Sequence, residues 1–334
     1  MDSETAAYDA KSFRVLMLHG FASNRTDFRA KSSRISQRIN DLLTPEIIAD
    51  FPGGIEFLYP NAPIALEPPL GFGTDVTEES ETGNVHHTIW NGVEDSDSTA
   101  MGWWYGRDVV NEYKGIENSL SFLARYINGR PIHGIMGFSQ GACISAMICS
   151  LLECQNDPEK AAAIRLQNLP VDDYLRLPGQ EPLRFFIGIG GYRGTLQYYG
   201  SLYSSLINTP SCHALASMDF VVENFQTMIL TECFRSSEVV QFYGCHFVPR
   251  DRVSVESLAR FALRNVREKS PLPHFPSVAR TWSQSDSDES HSTAWGPDQS
   301  SRNSPVSREL RKPKVIRSRA IQFSISCRAV SAST

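Results

Sequence analysis

The hydrophobic positions between residues 13 and 266 alternate between two spacings. Short runs of β-branched and aromatic residues, typical of buried strands, are separated by longer segments whose apolar residues recur at the helical period. This alternation predicts an α/β fold, a mainly parallel sheet with helices on both faces. The predicted strands cover residues 13–18, 55–59, 132–138, 185–189, 212–216 and 239–243.

Between these strands, apolar residues that share one helical face predict the helices. Asn24 can cap the first of them, because its side chain accepts a hydrogen bond from a free N–H of the first turn. A helix over 142–152 directly follows the third strand. The apolar positions that mark the other helices are Phe28, Ile35, Ile39 and Leu42, then Ile116, Leu120, Leu123 and Ile127, and lastly Val255, Leu258, Phe261, Ala262 and Val266.

Two stretches interrupt this rhythm and suggest the domain limits. Residues 67–99 contain eight Asp or Glu and no Lys or Arg, which is typical of a long solvated excursion; a lid over the pocket and a plain surface loop both stay open. After about residue 269, Ser, Pro and Arg dominate and the periodicity ends. We therefore predict an N-terminal arm over 1–12, one domain over 13–268, and a disordered basic tail over 269–334.

The charge is unevenly distributed along the chain. Residues 269–334 carry ten Lys or Arg and five Asp or Glu, so the formal net charge of -5 leaves about -10 on residues 1–268. An acidic body argues against a nucleic-acid partner, because a surface that follows phosphates needs clustered Lys and Arg.

Other features predict a cytoplasmic protein. The N-terminus has neither the basic start nor the apolar run of a signal peptide, and no stretch approaches the roughly 18 apolar residues of a membrane span. The seven cysteines are an odd number and several lie in apolar segments, which favours reduced thiols over a disulfide framework.

The strongest chemical signal is the sequence Gly-Phe-Ser-Gln-Gly at 137–141, between a predicted strand and a predicted helix. This is the G-x-S-x-G pattern of a nucleophile elbow, in which a serine occupies a sharp strand-to-helix turn and small flanking residues prevent collisions. We predict that Ser139 is a nucleophile exposed at the carboxyl edge of the sheet.

A serine hydroxyl needs a base, and His246 is the candidate because it lies on a loop between the last predicted strand and the closing helix. The hydrolase order places a carboxylate after a strand between the serine and the histidine, and Asp219 meets this condition. The 27 residues from Asp219 to His246 leave room for one helix and one strand. Glu223 is the nearest competitor, but it is also a plausible charge at a helix N-terminus.

An oxyanion hole needs two N–H donors close to the serine. The predicted donors are the backbone N–H of Gln140, at the start of the helix, and that of Phe21, in the loop after the first strand. Gly20 lets this loop pass close to the substrate, and we expect His19 to support the loop rather than to transfer protons. The chemistry requires no metal and no organic cofactor, and the adjacent His86 and His87 lack metal-ligand spacing.

With these residues assembled, the chain resembles the fungal and yeast family of serine hydrolases (FSH), which is related to the ovarian-cancer-associated gene 2 protein. The resemblance covers residues 13–266 and implies the α/β-hydrolase fold. The motifs that carry it are 15–21 with Asn24, Tyr-Pro-Asn-Ala-Pro at 59–63, Trp103-Trp104, the elbow at 137–141, Thr-Pro-Ser at 209–211 leading to Asp219, and His-Phe-Val-Pro at 246–249. In two places the chain departs from the family pattern: Cys245 replaces the second Gly of Gly-Gly-His, and Ala216 replaces the Gly of Gly-x-x-Asp.

The resemblance implies short to medium acyl esters as substrates and, in fungal biosynthetic clusters, the thioester that joins a polyketide to an acyl carrier domain of its synthase. Four apolar residues would suit an acyl chain or aromatic polyketide if they line the pocket: Phe21, Trp103, Trp104 and Phe247. The two tryptophans also fit a core role. Two alternatives stay open: an inactive hydrolase fold that serves as a binding protein, and a lipase or carbon–carbon bond hydrolase with the same three residues. Cys245 could also act as a redox switch beside the base.

Overall fold

The computed structural model describes residues 11–66, 99–106, 113–194 and 197–267. Within these ranges six strands form one sheet in which every pair of neighbours is parallel, in the order β2-β1-β5-β6-β7-β8. The strands of this sheet are β1 (Phe13–Leu18), β2 (Ile55–Leu58), β5 (Gly134–Phe138), β6 (Phe185–Ile189), β7 (Ser211–Ala216) and β8 (Ser237–Phe242). A two-stranded antiparallel ladder joins β3 (Ile64–Ala65) to β4 (Met101–Gly102).

Helices cover both faces of the sheet. The longest are α1 (Arg25–Asp41), α3 (Ile116–Ile127), α4 (Gln140–Glu153) and α8 (Arg252–Arg267). The shorter helices are α2 (Pro45–Asp50), α5 (Pro158–Leu166), α6 (Val171–Leu175) and α7 (Asn224–Thr231), and two 3-10 turns cover Cys154–Asn156 and Gln197–Tyr203.

The side chains of β1 show why the sheet is covered on both sides. Val15 and Met17 pack with α1 and α8 on one face, whereas Leu16 and Leu18 pack with α3 and α4 on the other. Consecutive strand residues point to opposite faces, so an uninterrupted apolar run requires two helical layers. The predicted fold class, a mainly parallel α/β sheet with helices on both faces, is confirmed.

The predicted strands and helices are all present, with ends that differ by one or two residues. The third strand begins at Gly134 rather than at residue 132, and the helix after the elbow begins at Gln140 rather than at residue 142. Ile132 is apolar and buried, but its backbone pairs with the Gln180 side chain instead of a neighbouring strand. The third strand was therefore predicted two residues too long, because the apolar Ile132 is buried without pairing to a neighbouring strand.

The two described segments that flank the acidic stretch are hydrogen-bonded to each other and to the loop after β1. Leu66 N–H donates to the Ala100 carbonyl at 2.8 Å, and Met101 N–H donates to the Ser23 carbonyl at 2.8 Å. The predictions for the stretch itself, for the first ten residues and for the tail fall outside the described residues.

Six cysteines of the described ranges are free thiols, and Cys245 is the exposed member of this set. Burial raises the pKa of the Cys154 thiol to about 11 and that of Cys212 to about 12, which keeps both protonated at neutral pH. Within the same ranges, none of the helices combines the length and apolar character that a bilayer crossing needs.

Candidate active site

Ser139 occupies the one-residue turn between β5 and α4. Its backbone has φ 53° and ψ -120°, a conformation that L-residues rarely adopt. The Ser139 N–H donates to the Ile189 carbonyl at the end of β6, at 2.8 Å. Such strain costs on the order of 1–3 kcal/mol and persists only where the surroundings enforce it.

The two glycines that flank Ser139 are required by close backbone approaches. A Cβ on Gly137 would lie 2.3 Å from the carbonyl oxygen of Gly141, and a Cβ on Gly141 would lie 2.1 Å from the carbonyl oxygen of Leu18. Both distances are far below van der Waals contact, so the spacing of the motif follows from the fit of α4 against β1 and β5.

Asp219 and His246 form a hydrogen-bonded pair at the same edge of the sheet. Asp219 lies in the turn after β7, and His246 lies in the loop between β8 and α8, with α7 and β8 between them. The distance from His246 Nδ1 to Asp219 Oδ2 is 2.7 Å. The sequence order of strand, carboxylate, helix, strand and histidine is therefore the order seen in the fold.

The Asp219 carboxylate is held in its ionised form. Burial opposes ionisation, but the hydrogen bond from His246 and those from the N–H groups of Val222 and Val221 outweigh it and hold the pKa of Asp219 below its usual value. The two backbone donors lie 2.9 and 3.0 Å from Oδ1. An ionised Asp219 accepts the proton on Nδ1, which leaves Nε2 as the ring nitrogen that can take a proton from a substrate or nucleophile.

His246 packs directly against the elbow. The centroid of its ring lies 4.8 Å from the ring centroid of Phe138, the residue before Ser139. A Cβ on Gly190 would lie 3.1 Å from His246 Cε1 and 3.3 Å from Asp219 Oδ2. Gly190 directly follows Ile189, whose carbonyl accepts from the Ser139 N–H. The structure thus brings Ser139, Asp219 and His246 together at the carboxyl ends of β5, β7 and β8.

The loop after β1 passes against the elbow, as the oxyanion-hole prediction requires. A Cβ on Gly20 would lie 3.0 Å from Phe138 Cδ1 and 3.3 Å from Ser139 Cβ, so Phe21 follows a residue in contact with the candidate nucleophile. Gln140 is the first residue of α4, where backbone N–H groups have no partner within the helix. Both candidate donors therefore lie beside Ser139.

His19 fixes the shape of this loop. Its Nδ1 donates to the Gly20 carbonyl at 2.7 Å, and its Nε2 accepts from the Ala62 N–H at 3.0 Å. Burial lowers the pKa of His19 to about 4, so the ring is neutral at physiological pH. Both ring nitrogens are occupied, which leaves neither free for proton transfer.

The aromatic residues predicted to contact substrate divide into two groups. Trp103 and Trp104 are buried in the core, and the indole N–H of Trp103 donates to the His19 carbonyl at 2.9 Å. This burial favours the core role for both tryptophans. Phe247 and Phe21 are about half-exposed and flank His246 and the β1 loop.

Two contributions were missed by sequence reasoning. The Gln140 side chain accepts from the Trp103 N–H and donates to the Trp104 carbonyl, each at 2.8 Å, and so ties the start of α4 to the segment after β4. Gly190 allows His246 and Asp219 to approach the end of β6. The pair Gly190-Gly191 directly after a predicted strand was the available signal for a close approach.

Cys245 is exposed, and its carbonyl accepts from the Phe247 N–H at 2.9 Å. Among the residues that the structure describes, no group of three His, Cys, Asp or Glu side chains is arranged to hold a metal ion.

The chain is similar in sequence to a family of known proteins. The family model described as serine hydrolase (FSH1) matches residues 8–258. Family of serine hydrolases 3 from Saccharomyces cerevisiae is 26% identical over 266 residues, which cover 78% of this chain and 87% of that protein. Esterase OVCA2 from Danio rerio is 24% identical over 251 residues, which cover 72% of this chain and 92% of that protein.

Solved structures include one similar chain from maize. Acyl-protein thioesterase 2 from Zea mays aligns with 78% of this chain and 96% of its own length, at 14% identity and a TM-score of 0.43.

Proposed function

Because the chain belongs to the FSH1 serine hydrolase family, we propose that it cleaves carboxylic esters or thioesters through an acyl-enzyme formed on Ser139. The observation that carries the assignment is the 2.7 Å hydrogen bond between His246 Nδ1 and Asp219 Oδ2, beside a serine held at φ 53°. The name esterase borne by the zebrafish relative supports the choice of ester bonds.

In the first half of the reaction, His246 Nε2 takes the proton from Ser139 Oγ as this oxygen attacks the carbonyl carbon. Asp219 orients the imidazole and stabilises its charged form. The N–H groups of Phe21 and Gln140 bind the oxyanion of the tetrahedral intermediate. When the intermediate collapses, His246 gives its proton to the leaving alcohol or thiol.

In the second half, water replaces the leaving group. His246 removes a proton from this water, the resulting oxygen attacks the acyl-enzyme, and the proton returns to Ser139 Oγ as the acid product leaves. Every proton in this cycle passes through one imidazole, so the mechanism needs neither metal nor cofactor.

Hydrolysis of p-nitrophenyl butyrate tests the proposal. We expect turnover by the wild type and a loss of roughly 10⁴-fold or more in kcat for Ser139→Ala and His246→Ala, since the members of such a triad act as a unit. Ser257→Ala, in α8, is a matched control, because it removes a serine hydroxyl that binds the Val253 carbonyl away from the candidate site. Absence of turnover by a folded wild type would favour the alternative of an inactive fold that binds a partner.

A narrower proposal concerns the acyl donor, a thioester such as a polyketide held on an acyl carrier domain of its synthase. Its support is the family resemblance. The test compares kcat/KM for an ester and a thioester of the same acyl group, and then for that acyl group attached to a carrier domain. A preference for the free ester would contradict the thioester proposal.

A matched panel of triglycerides and carbon–carbon bond substrates separates the lipase and carbon–carbon hydrolase alternatives.

We further propose that the protein works in the cytoplasm. The free thiols of the described cysteines are consistent with a reducing compartment. Imaging of a fluorescently tagged full chain tests this placement, and an accumulation in the secretory pathway would contradict it.

A further inference from the structure

Residues 189–191, called the β6 turn below, touch all three candidate catalytic residues. The Ile189 carbonyl accepts from the Ser139 N–H at 2.8 Å. A Cβ on Gly190 would lie 3.2 Å from His246 Nδ1 and 3.3 Å from the carboxylate oxygen that binds this nitrogen. A displacement of the β6 turn would therefore disturb the nucleophile, the base and the carboxylate together.

Close packing gives the β6 turn two glycines, and glycine brings little stiffness. Gly190 has φ 54°, in the left-handed region that favours glycine, and a Cβ on Gly191 would lie 2.8 Å from the Ala142 Cβ in α4. Because a Gly-Gly pair has the greatest backbone freedom, hydrogen bonds to neighbouring elements must fix its conformation. One such bond runs from the Gly190 N–H to the Ala214 carbonyl in β7, at 3.0 Å.

A second bond to the β6 turn comes from the side chain of a buried threonine in α7. The Thr227 hydroxyl donates to the Gly191 carbonyl at 2.6 Å. A buried hydroxyl costs free energy unless it is bonded, and valine would fill the same space beside Leu230 without that cost. The hydroxyl at position 227 is therefore explained by the carbonyl that it binds.

Thr231, one turn further along α7, provides an internal comparison. It is also buried, and its hydroxyl donates to the Met228 carbonyl at 2.6 Å. That acceptor belongs to the same helix, three residues earlier, so the bond adds nothing between elements. Of the two threonines, Thr227 is the one that joins α7 to the β6 turn.

We propose that Thr227 is a positioning residue, which holds the β6 turn and through it aligns Ser139 with the pair of His246 and Asp219. The inference rests on the proposed function. Loss of the hydroxyl leaves the Gly191 carbonyl without this donor and frees the turn to move. A misplacement of about 1 Å in a catalytic group lowers a rate by on the order of 10²-fold.

Kinetics of the full chain with p-nitrophenyl butyrate test the proposal. We expect Thr227→Val to lower kcat by about 10- to 100-fold with KM unchanged, since alignment acts on the transition state. Thr227→Ser, which keeps the hydroxyl, should restore most of kcat. Thr231→Val is the matched control, because it makes the same change on the same buried face and should leave kcat near that of the wild type.

Proton NMR gives a readout that is independent of turnover. The Nδ1 proton in the His246–Asp219 hydrogen bond is expected far downfield, and its absence in His246→Ala assigns it. We expect this signal to shift or disappear in Thr227→Val and to persist in Thr231→Val. Thermal unfolding checks that each variant is folded, and Thr227→Ala replaces Thr227→Val if the valine variant does not fold.

Three results would overturn the proposal. The first is a folded Thr227→Val protein with the kcat and the downfield signal of the wild type, the second is an equal loss of kcat in Thr231→Val, and the third is a Thr227→Ser protein as impaired as Thr227→Val. A wild type that hydrolyses no ester, but whose downfield signal responds to the change at Thr227 and not at Thr231, would contradict the proposed function and leave the positioning role standing.

Discussion

Each of the three candidate catalytic residues is held by a different kind of contact. The backbone strain at Ser139 is enforced by the fit of Gly137 and Gly141 against neighbouring carbonyls. Asp219 is fixed by two backbone N–H groups and the imidazole, and His246 is fixed by that carboxylate and by the ring of Phe138. The arrangement is therefore set before a substrate arrives, which is what electrostatic stabilisation of a transition state requires.

Replacing Asp219 tests the role of its charge. We expect Asp219→Asn to lower kcat by roughly 10³- to 10⁴-fold, because an amide no longer favours the proton on Nδ1 and leaves the wrong nitrogen facing the serine. Glu223→Gln is the matched control, since Glu223 was the competing carboxylate and instead forms a capping box with Gln226 at the start of α7. Measurement of kcat with p-nitrophenyl butyrate compares the two variants. A larger loss of kcat in the Glu223 variant would make Glu223, rather than Asp219, the catalytic carboxylate.

The elbow glycines offer a test of the steric argument. Gly141→Ala places a Cβ 2.1 Å from the Leu18 carbonyl oxygen, and we expect it to reduce the free energy of unfolding by about 3 kcal/mol or more. Gly200→Ala is the control, because a Cβ at that position has no heavy atom within 4 Å. Urea unfolding measures both, and equal stabilities would show that the elbow has room for a side chain.

Individual residues can be identified from the sequence where their role follows from a local motif or from chain order. Ser139 stands out because its motif is contiguous, and Asp219 and His246 follow from their positions after strands. Gly190 acts through a contact with Asp219, 29 positions away, and the Gln140 side chain acts through contacts with Trp103 and Trp104, at least 36 positions away. No local pattern reports such contacts.

Among the elements, α4 links the nucleophile to the rest of the site. Its first residue, Gln140, binds the backbone of Trp103 and Trp104, and the Trp103 indole binds the His19 carbonyl in the β1 loop. The helix that positions Ser139 is thus joined to the loop that carries the second candidate oxyanion donor.

Removal of the Gln140 amide tests this link. We expect Gln140→Met to reduce the free energy of unfolding by ~2–5 kcal/mol, because a buried N–H and a buried carbonyl lose their partners at similar side-chain volume. Gln241→Met, at an exposed position of β8, should have little effect. Urea unfolding gives the comparison, and an unchanged Gln140→Met protein would mean that the two backbone groups find other partners.

Long buried elements could be predicted from the sequence, and short ones could not. Strands β1, β5 and β6 are apolar on both faces, so their runs are unambiguous. Helices α2 and α6 and the β3–β4 ladder are too short to show a period. The apolar residues of α7 do not mark its buried face, because Phe225, Met228 and Ile229 face solvent and only Leu230 is buried.

For the whole molecule, two buried histidines, His19 and His213, and the partly buried His133 make stability depend on pH. Burial lowers the pKa of His19 and of His133 to about 4, with nearby Arg184, Arg14 and Lys11 adding to the effect at His133. Burial alone lowers the pKa of His213 to about 3, and its Nδ1 has no hydrogen-bond partner. These rings are neutral in the folded protein and take up protons more readily when it unfolds.

Acidification should therefore destabilise the protein. As pH falls below the unfolded-state value of about 6.5, the unfolded chain binds protons that the folded chain excludes, and each ring contributes up to about 1.4 kcal/mol of lost stability per pH unit. This loss continues until the folded-state pKa values are reached. We expect urea unfolding between pH 7 and pH 5 to show a smaller slope for His213→Leu than for the wild type; equal slopes would contradict the assignment.

The architecture of the whole sheet was accessible from the sequence because parallel strands buried on both faces leave a strong apolar signal. The order of the strands was not, since pairing such as that of β1 with β5 depends on contacts about 120 residues apart. The motifs nevertheless converge, because the carboxyl ends of parallel strands lie at one edge of the sheet.

Locating a fluorophosphonate adduct by tandem mass spectrometry tests directly whether Ser139 is the nucleophile. We expect one adduct, on Ser139, which is formed by the wild type and is lost in His246→Ala because the hydroxyl no longer has a base. An adduct on another residue, or full labelling of a folded Ser139→Ala protein, would contradict it.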